Sequence, residues 1–386
     1  MYINISRYII GLIIFINYNL IFANHNCKTI YKKNIKNLPV SEIQRFIDLH
    51  IFQSGDSPGI MIGVVSNNEK AVFACGSIEK DKKIAPNMQT IWPVGSVSKV
   101  MTSLIFANMI NKGDVKLNDN INTLLNINID NNITLLNLAT HSSGFPRQLP
   151  TISDIDDYQV NYPYNTNKFK LWYKTAKLKY LPGTHYQYSN VGYGLLGQIL
   201  ANVKNTTFEN LVKTTYTEGL NMIDTTVSLS KDQQQRKVKS YWLNGDQIKK
   251  DWVFNFEQPS GGIYSTMQDM LIFLDYELGN INKNKSIPNN YITHAAYIPQ
   301  NSFDNPLIFG NDAMALGWEV NYPAAGIPQI LRKNGWVNGV NCFVQLAPTE
   351  NIALISFSNK PNMNIFTDLN RIIATIISKI NSNKSR

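Results

Sequence analysis

Strand-forming segments near both ends of the chain, an amphipathic helix beside each set, and a mostly helical middle predict an α+β fold. One antiparallel sheet built from both termini fits that order, with terminal helices covering it and a helical region inserted between its strands. At 386 residues the chain has ample material for one large core. A sheet subdomain over about 40–90 and 305–386 and a helical subdomain over about 96–300 follow from the pattern. No internal repeat or linker interrupts it.

Residues 1–23 carry a single charge, Arg7, then an apolar run from Tyr8 to Phe22 and the small Ala23. That is the shape of a secretory signal peptide, so an exported, periplasmic protein is expected, with residues 24–386 as its single domain. An uncleaved leader would instead hold the protein at the inner membrane. From Val40 to Gln53, Ile43, Phe46, Ile47 and His50 have helical spacing, with Ser41 as the expected cap. Gly59–Ser66 and Lys70–Cys75 are β-rich and separated by Asn67-Asn68, a hairpin signal. A helix starting near Ser96 runs to a stop at Gly113; Val97, Val100, Met101, Leu104, Ile105 and Ile110 recur along it at three- and four-residue steps. Phe106 and Met109 fill its other faces, so it is expected to lie buried. Ile133–Thr140, Val191–Val203, Phe208–Thr214 and Thr266–Glu277 read as further helices. Ala315–Asn321, Ile327–Lys333, Gly339–Ala347 and Asn351–Asn359 read as a strand meander, and Met363–Ile380 as a closing amphipathic helix.

Composition excludes several classes of function. Removing the leader takes one of the 36 basic residues and none of the 27 acids, leaving a mature charge of +8. Such a surface suits an anionic polymer, although solubility alone also accounts for it. No basic stripe with interleaved aromatics is present, so nucleic acid is not an expected partner. Cys27, Cys75 and Cys342 allow one bridge in an oxidising compartment, with no pairing assigned. His25, His50, His141, His185 and His294 form no ligand pair, and neither a metal nor a cofactor is indicated.

Chemistry concentrates in three short motifs in the order S-x-x-K, Y-x-N and K-x-G: Ser96/Lys99, Tyr188/Asn190 and Lys333/Gly335. Residues three apart on a helix share a face, and a buried amine beside a hydroxyl is costly without partners or work. Ser96 is therefore the candidate nucleophile and Lys99 its proton partner. Tyr188, ordinarily near pKa about 10, becomes a base if the ammoniums of Lys99 and Lys333 favour its phenolate. Gly335 on a strand edge admits close approach of a substrate backbone, and the N–H groups of Ser96 and Trp336 are the expected oxyanion hole. Singly, each motif has an ordinary reading: a serine at a helix start, a core tyrosine, a solvated lysine, a turn glycine. A second S-x-x-K, Ser228 to Lys231, lies in a polar run with no apolar helix behind it and reads as surface.

The flanks Val94-Gly-Ser-Val-Ser-Lys99, LLNLATHS over 135–142, Pro182-Gly-Thr184 before Tyr188, Gly261-Gly-Ile-Tyr-Ser265 and Leu316-Gly-Trp318 extend the pattern. With them the chain resembles the class C β-lactamase-like penicillin-recognising serine enzymes over roughly residues 40–380. Thr175-Ala-Lys-Leu-Lys179 and LATHSSGFPRQLP look most like the D-alanyl-D-alanine carboxypeptidase/endopeptidases of the AmpH type. The resemblance implies a β-lactamase/transpeptidase-like fold and a periplasmic enzyme acting on peptidoglycan stem peptides and binding penicillin. It implies Ser96 as the acylated nucleophile, Lys99 and Tyr188 as proton-transfer groups, and Asn190 and Lys333 in the substrate site. Gln148 matches the family's side-chain amide contact, and Asn338 an Asn that follows the third motif. Two departures bear on substrate range. Asn334 replaces the usual Thr, offering amide donors in place of a hydroxyl, and Trp336 is bulkier than the usual small residue. Rival expectations are a class C β-lactamase, an esterase on the same fold, and a non-catalytic wall-binding or β-lactam-sensing module.

Overall fold

The computed structural model describes residues 27–52, 58–149, 166–281 and 291–384, except 306, 308–309, 325 and 362–364. The expected leader, and Met363 at the expected start of the last helix, lie outside the described residues. In chain order the strands are β1 (Cys27–Lys33), β2 (Gly59–Ser66), β3 (Glu69–Gly76), β4 (Ile91–Pro93), β5 (Tyr264–Thr266) and β6 (Ile298–Pro299). They continue with β7 (Ala313–Met314), β8 (Glu319–Asn321), β9 (Ile330–Val337), β10 (Val340–Ala347) and β11 (Ile352–Ser358). Among the described residues, nine form one antiparallel sheet in the order β1-β3-β2-β11-β10-β9-β8-β7-β6. The short β4 and β5 pair separately, beneath the nucleophile turn.

Both termini do build the sheet. The β2–β11 pairing, with Ser66 opposite Ile352 and Ile60 opposite Ser358, joins the N-terminal hairpin to the C-terminal meander. Every residue of β2, β10 and β11 is buried, because helices cover both faces. Side chains alternate between those faces. Ile60, Ile62 and Val64 join the outer cluster with Ile365, Leu369, Ile372, Ile373 and Ile376 of the last helix, Ile365–Lys384. Met61 and Val65 join the inner cluster with the helical region. Burying one such aliphatic side chain contributes roughly 1.5–3 kcal/mol. On the inner side, the helix Ser98–Asn111 is buried at every residue from Ser98 to Met109, as its all-round apolar sequence requires.

Four local expectations change. Ser41 caps nothing: Pro39 precedes the first helix, Val40–Phe46, which loosens into a π-turn over Ile47–Phe52. Of the expected strand Ala315–Asn321 only Glu319–Asn321 is extended, as β8; Ala315–Trp318 is the turn from β7, with Gly317 at φ +77°. The strand expected over Ile327–Lys333 starts at Ile330 and runs on to Val337. The sheet also begins earlier than residue 40. β1 is an edge strand whose Lys28, Lys32 and Lys33 face out, a common protection against edge-to-edge pairing. Its short, lysine-rich alternation gives little strand signal. Cys27 lies opposite Cys75 on β3 and is bonded to it, while Cys342 is buried and free.

That bridge closes a segment of 48 residues, so by chain entropy its loss costs about 4 kcal/mol. Replacing Cys27 and Cys75 together by Ala is expected to lower the denaturant midpoint accordingly. An unchanged midpoint would show that the bridge contributes nothing to global stability.

Candidate active site

The nucleophile turn is set by two backbones in contact. After β4 the chain turns through Gly95 at φ +53° into a 3₁₀ turn, Gly95–Val97, and then the helix at Ser98. A Cβ on Gly335 would stand 2.0 Å from Val94 O and 3.0 Å from Ser96 N; one on Gly95 would stand 2.8 Å from Trp336 N. Glycine at 335 is thus demanded by the chain's own nucleophile turn, a different reason from the substrate approach expected from sequence. The contact brings the N–H groups of Ser96 and Trp336 to one place. β9 pairs with β8 only over Ile330–Arg332, so the opposite edge of Lys333–Val337 has no strand partner among the described residues.

Ser96 is half-buried and caps nothing; the residue before the helix is Val97, with no side-chain cap. Its Oγ accepts instead from Tyr188 Oη at 2.7 Å and from Lys99 Nζ at 3.2 Å. Lys99 is completely buried one turn on, and its Nζ also donates to Asn190 Oδ1 at 2.8 Å and Ser260 O at 2.7 Å. Three acceptors match the three donors of an ammonium. Tyr188 and Asn190 are fixed by the segment between them: Ser189 Oγ accepts from Gly192 N, capping the helix Asn190–Val203. Lys333 is also fully buried and pairs with Glu319 at 3.4 Å; Glu319 sits opposite Arg332 in the β8–β9 register. The ammoniums of Lys99 and Lys333 lie 4.8 and 5.1 Å from the centre of the Tyr188 ring.

Electrostatics follow from this crowding. Burial pushes the Tyr188 phenol up, but Lys99 and Lys333 together outweigh it and bring it down to about 8. Burial pulls Lys99 down and Lys333 adds to that; attraction to Tyr188 offsets part, leaving about 8. Two adjacent groups with coincident values titrate as a pair, which gives up one proton near neutral pH. That is the property a base for a serine hydroxyl needs.

The other sequence candidates spread further. Gln148 joins the cluster. With its amide turned so that both ends are satisfied, its oxygen accepts from Asn190 Nδ2 at 3.2 Å and its nitrogen donates to Glu257 at 3.0 and 3.2 Å. Asn334 lies opposite Phe343, a member of the outer cluster, whereas Lys333 and Gly335 lie opposite Val344 and Cys342 of the inner one. Alternation therefore places Asn334 and Trp336 on the other face of β9 from Lys333. Trp336 is 41% exposed and meets Trp252 edge-on at 5.4 Å. Asn338 has a turn role: with φ +48° before Gly339 it makes the β9–β10 hairpin, and its Nδ2 donates to Asp251 Oδ1. Ser228, of the second S-x-x-K, is exposed, as expected.

Three site neighbours escaped the sequence reading. His141 is fully buried with its ring 4.4 Å from that of Tyr188. Its Nδ1 accepts from Ser189 N, so the neutral ring carries its proton on Nε2. Burial first, then Lys333, Lys99 and Arg147, holds it well below the usual histidine range. Arg147 caps the Tyr188 ring at 5.0 Å from outside. Glu257 is 7% exposed and pushed up to about 7 by burial, partly offset by Lys99 and Arg147. His141 and Arg147 lay within the LATHSSGFPRQLP run without being singled out; Glu257 has no periodic or motif signal, and only folding brings it in.

Comparison with known proteins agrees with this geometry. A family model described as Beta-lactamase matches residues 43–375. The D-alanyl-D-alanine-carboxypeptidase/endopeptidase AmpH of Escherichia coli (strain K12) is 27% identical over 354 residues, covering 89% of each chain. A beta-lactamase of Pseudomonas fluorescens is 24% identical, covering 83% of this chain and 94% of its own. Among solved structures, a beta-lactamase/D-alanine carboxypeptidase from Yersinia pestis complexed with citrate shares the fold with a TM-score of 0.77 at 24% identity, over 88% of this chain and 99% of that one. With its class C-type α+β architecture and a serine held between a lysine and a tyrosine, the chain belongs to the beta-lactamase family of serine hydrolases.

Proposed function

We propose that the protein is an exported serine acyl-transfer hydrolase of the cell wall that cleaves D-alanyl-D-alanine or cross-link peptide bonds and is acylated by penicillin. The observation that carries this reading is Ser96 Oγ within hydrogen-bond reach of both Tyr188 and Lys99, with Lys333 against the same phenol ring. The likeness to AmpH across 89% of both chains supports the substrate class. The Cys27–Cys75 bridge supports an oxidising compartment, hence export.

Ser96 Oγ attacks the carbonyl carbon and its proton passes to the Lys99–Tyr188 pair. The tetrahedral oxyanion lies against the N–H groups of Ser96 and Trp336. The C–N bond breaks, the pair returns the proton to the departing D-amino group, and an acyl-serine ester remains. Water then adds to that ester, giving up its proton to the same pair, and Ser96 recovers its hydrogen as the acid leaves. An extended substrate peptide would run along the open edge of Lys333–Val337, its backbone bonding to β9.

A labelled penicillin is expected to give a covalent adduct on the purified protein that Ser96→Ala abolishes and Ser228→Ala leaves intact; no adduct at saturating probe would end the reading. Mass spectrometry of purified peptidoglycan after digestion should show loss of terminal D-alanine or opened cross-links. Rapid nitrocefin turnover without muropeptide products would favour the β-lactamase alternative. Tyr188→Phe should slow acylation on the order of 10²–10⁴-fold. In the wild type the acylation rate should climb with pH as the pair loses its proton, with a midpoint near 8; a flat profile across neutral pH would dismiss the pair as the base.

A further inference from the structure

Glu257 is a buried acid that the acyl-transfer steps do not use. A chain of hydrogen bonds connects it to the lysine that they do use. Lys99, as an ammonium, only donates, so Asn190 must turn Oδ1 toward it, at 2.8 Å. Asn190 Nδ2 then points away and needs an acceptor, which the Gln148 oxygen supplies at 3.2 Å. The Gln148 nitrogen in turn needs acceptors and finds both Glu257 oxygens, at 3.0 and 3.2 Å, and Arg147 O at 2.9 Å. Every bond donates in the same sense, from cation to carboxylate, and bonds aligned this way polarise one another. A second connection runs through the backbone. The Glu257 carbonyl accepts from Ser260 N and Ser260 Oγ, at 2.9 Å each, and the Ser260 carbonyl is the third acceptor of Lys99.

We propose that Glu257 is a positioning residue for acylation: its carboxylate fixes the Gln148 amide, which braces Asn190, and so holds Lys99 as an aimed ammonium beside Ser96. Without an anionic acceptor at the far end, Gln148 loses the bonds that fix its amide. An oxygen still faces Asn190 Nδ2 at 3.2 or 3.3 Å in either orientation, so the loss reaches Lys99 as a looser Gln148–Asn190 brace and a missing negative charge. The role rests on the acyl-transfer reading of Ser96. The charged and titratable groups around the chain are Tyr188, Lys333, Tyr193 and His141 near Lys99, with Arg147 and Lys99 itself near Glu257. Lys333 and Arg147 keep their charges in a Glu257 variant, so the charge removed is that of Glu257 alone. Burial lifts the acid only to about 7, which leaves it ionised where the Lys99–Tyr188 pair titrates, near 8.

Two variants test this in the full-length protein. Glu257→Gln keeps an acceptor oxygen for Gln148 and removes the charge; Glu257→Ala removes both. The carbon-13 resonance of the Lys99 side chain, in protein labelled at lysine Cε and assigned by its loss in Lys99→Arg, follows the proton without any substrate. In Glu257→Gln the Lys99 midpoint is expected to move to lower pH, and the midpoint for penicillin acylation with it, while the plateau rate stays within a few-fold of wild type. Glu257→Ala should slow acylation on the order of 10- to 100-fold, the cost of a displaced catalytic group. An unchanged Lys99 midpoint in Glu257→Gln overturns the proposal. So does an equal loss of rate in both variants with no shift of midpoint and a lowered melting temperature, the mark of a merely structural acid. Should Glu257→Ala fail to fold, the Lys99 midpoint in Glu257→Gln decides alone. Should wild-type Ser96 take no acyl group, the acyl-transfer reading falls, and the lysine titration still upholds or overturns the link between Glu257 and Lys99.

Discussion

Two ammonium groups with no solvent exposure, both facing one phenol ring, are the condition under which everything else in the site operates. Each buried ion costs several kcal/mol in lost hydration, and the fold offsets that cost in different ways. Lys99 has a full set of neutral acceptors, Ser96 Oγ, Asn190 Oδ1 and Ser260 O. Lys333 has a carboxylate, Glu319, which Arg332 and Asn311 hold in place. What remains of the imbalance falls on Tyr188, whose proton becomes easy to remove. The reactive property of the phenol is therefore a by-product of keeping two lysines dry.

Rigid elements make this affordable. Lys99 belongs to a helix buried on all sides, Lys333 to a strand paired along its length with β10, and Asn190 to the first turn of a capped helix. None of the three can drift without breaking a backbone ladder or a core contact. The nucleophile alone sits on a tight turn, and that turn is clamped by its contact with Gly335. The arrangement explains why glycine recurs at 95 and 335: the sheet and the helical region must touch backbone to backbone where the reacting carbonyl will lie.

Sequence made part of this legible and hid the rest for identifiable reasons. Helices such as Asn190–Val203 and Ile365–Lys384, and strands such as β2 and β11, have long unbroken periodicity, and their types were readable within a few residues at each end. β1 and the short β6 to β8 are brief, polar or interrupted, and their pairing depends on neighbours that lie far off along the chain. In the site, Ser96, Lys99, Tyr188, Asn190, Lys333 and Gly335 were visible because local spacing expresses their geometry. Asn338-Gly339 is also a hairpin signal, and the structure uses it so. Glu257 was invisible because an acid gains meaning only from what packs around it, and Arg147, although inside the LATHSSGFPRQLP run, gains its role only from the Tyr188 ring it meets.

The charges that meet at Ser96 also bear on what the pocket accepts. Three cations, Lys99, Lys333 and Arg147, face two acids, Glu319 and Glu257, one of which is close to half-protonated at neutral pH. The balance is positive in a region where charge is poorly screened. A negative charge arriving there is stabilised whether it is the Tyr188 phenolate, the oxyanion on the attacked carbonyl or the terminal carboxylate of the proposed D-amino acid leaving group. Asn334 and Trp336 do not alter that balance, since both are neutral and leave β9 on the face away from Lys333. Their departure from the family pattern therefore leaves the charge balance at Ser96 to the lysines, Arg147 and their acids.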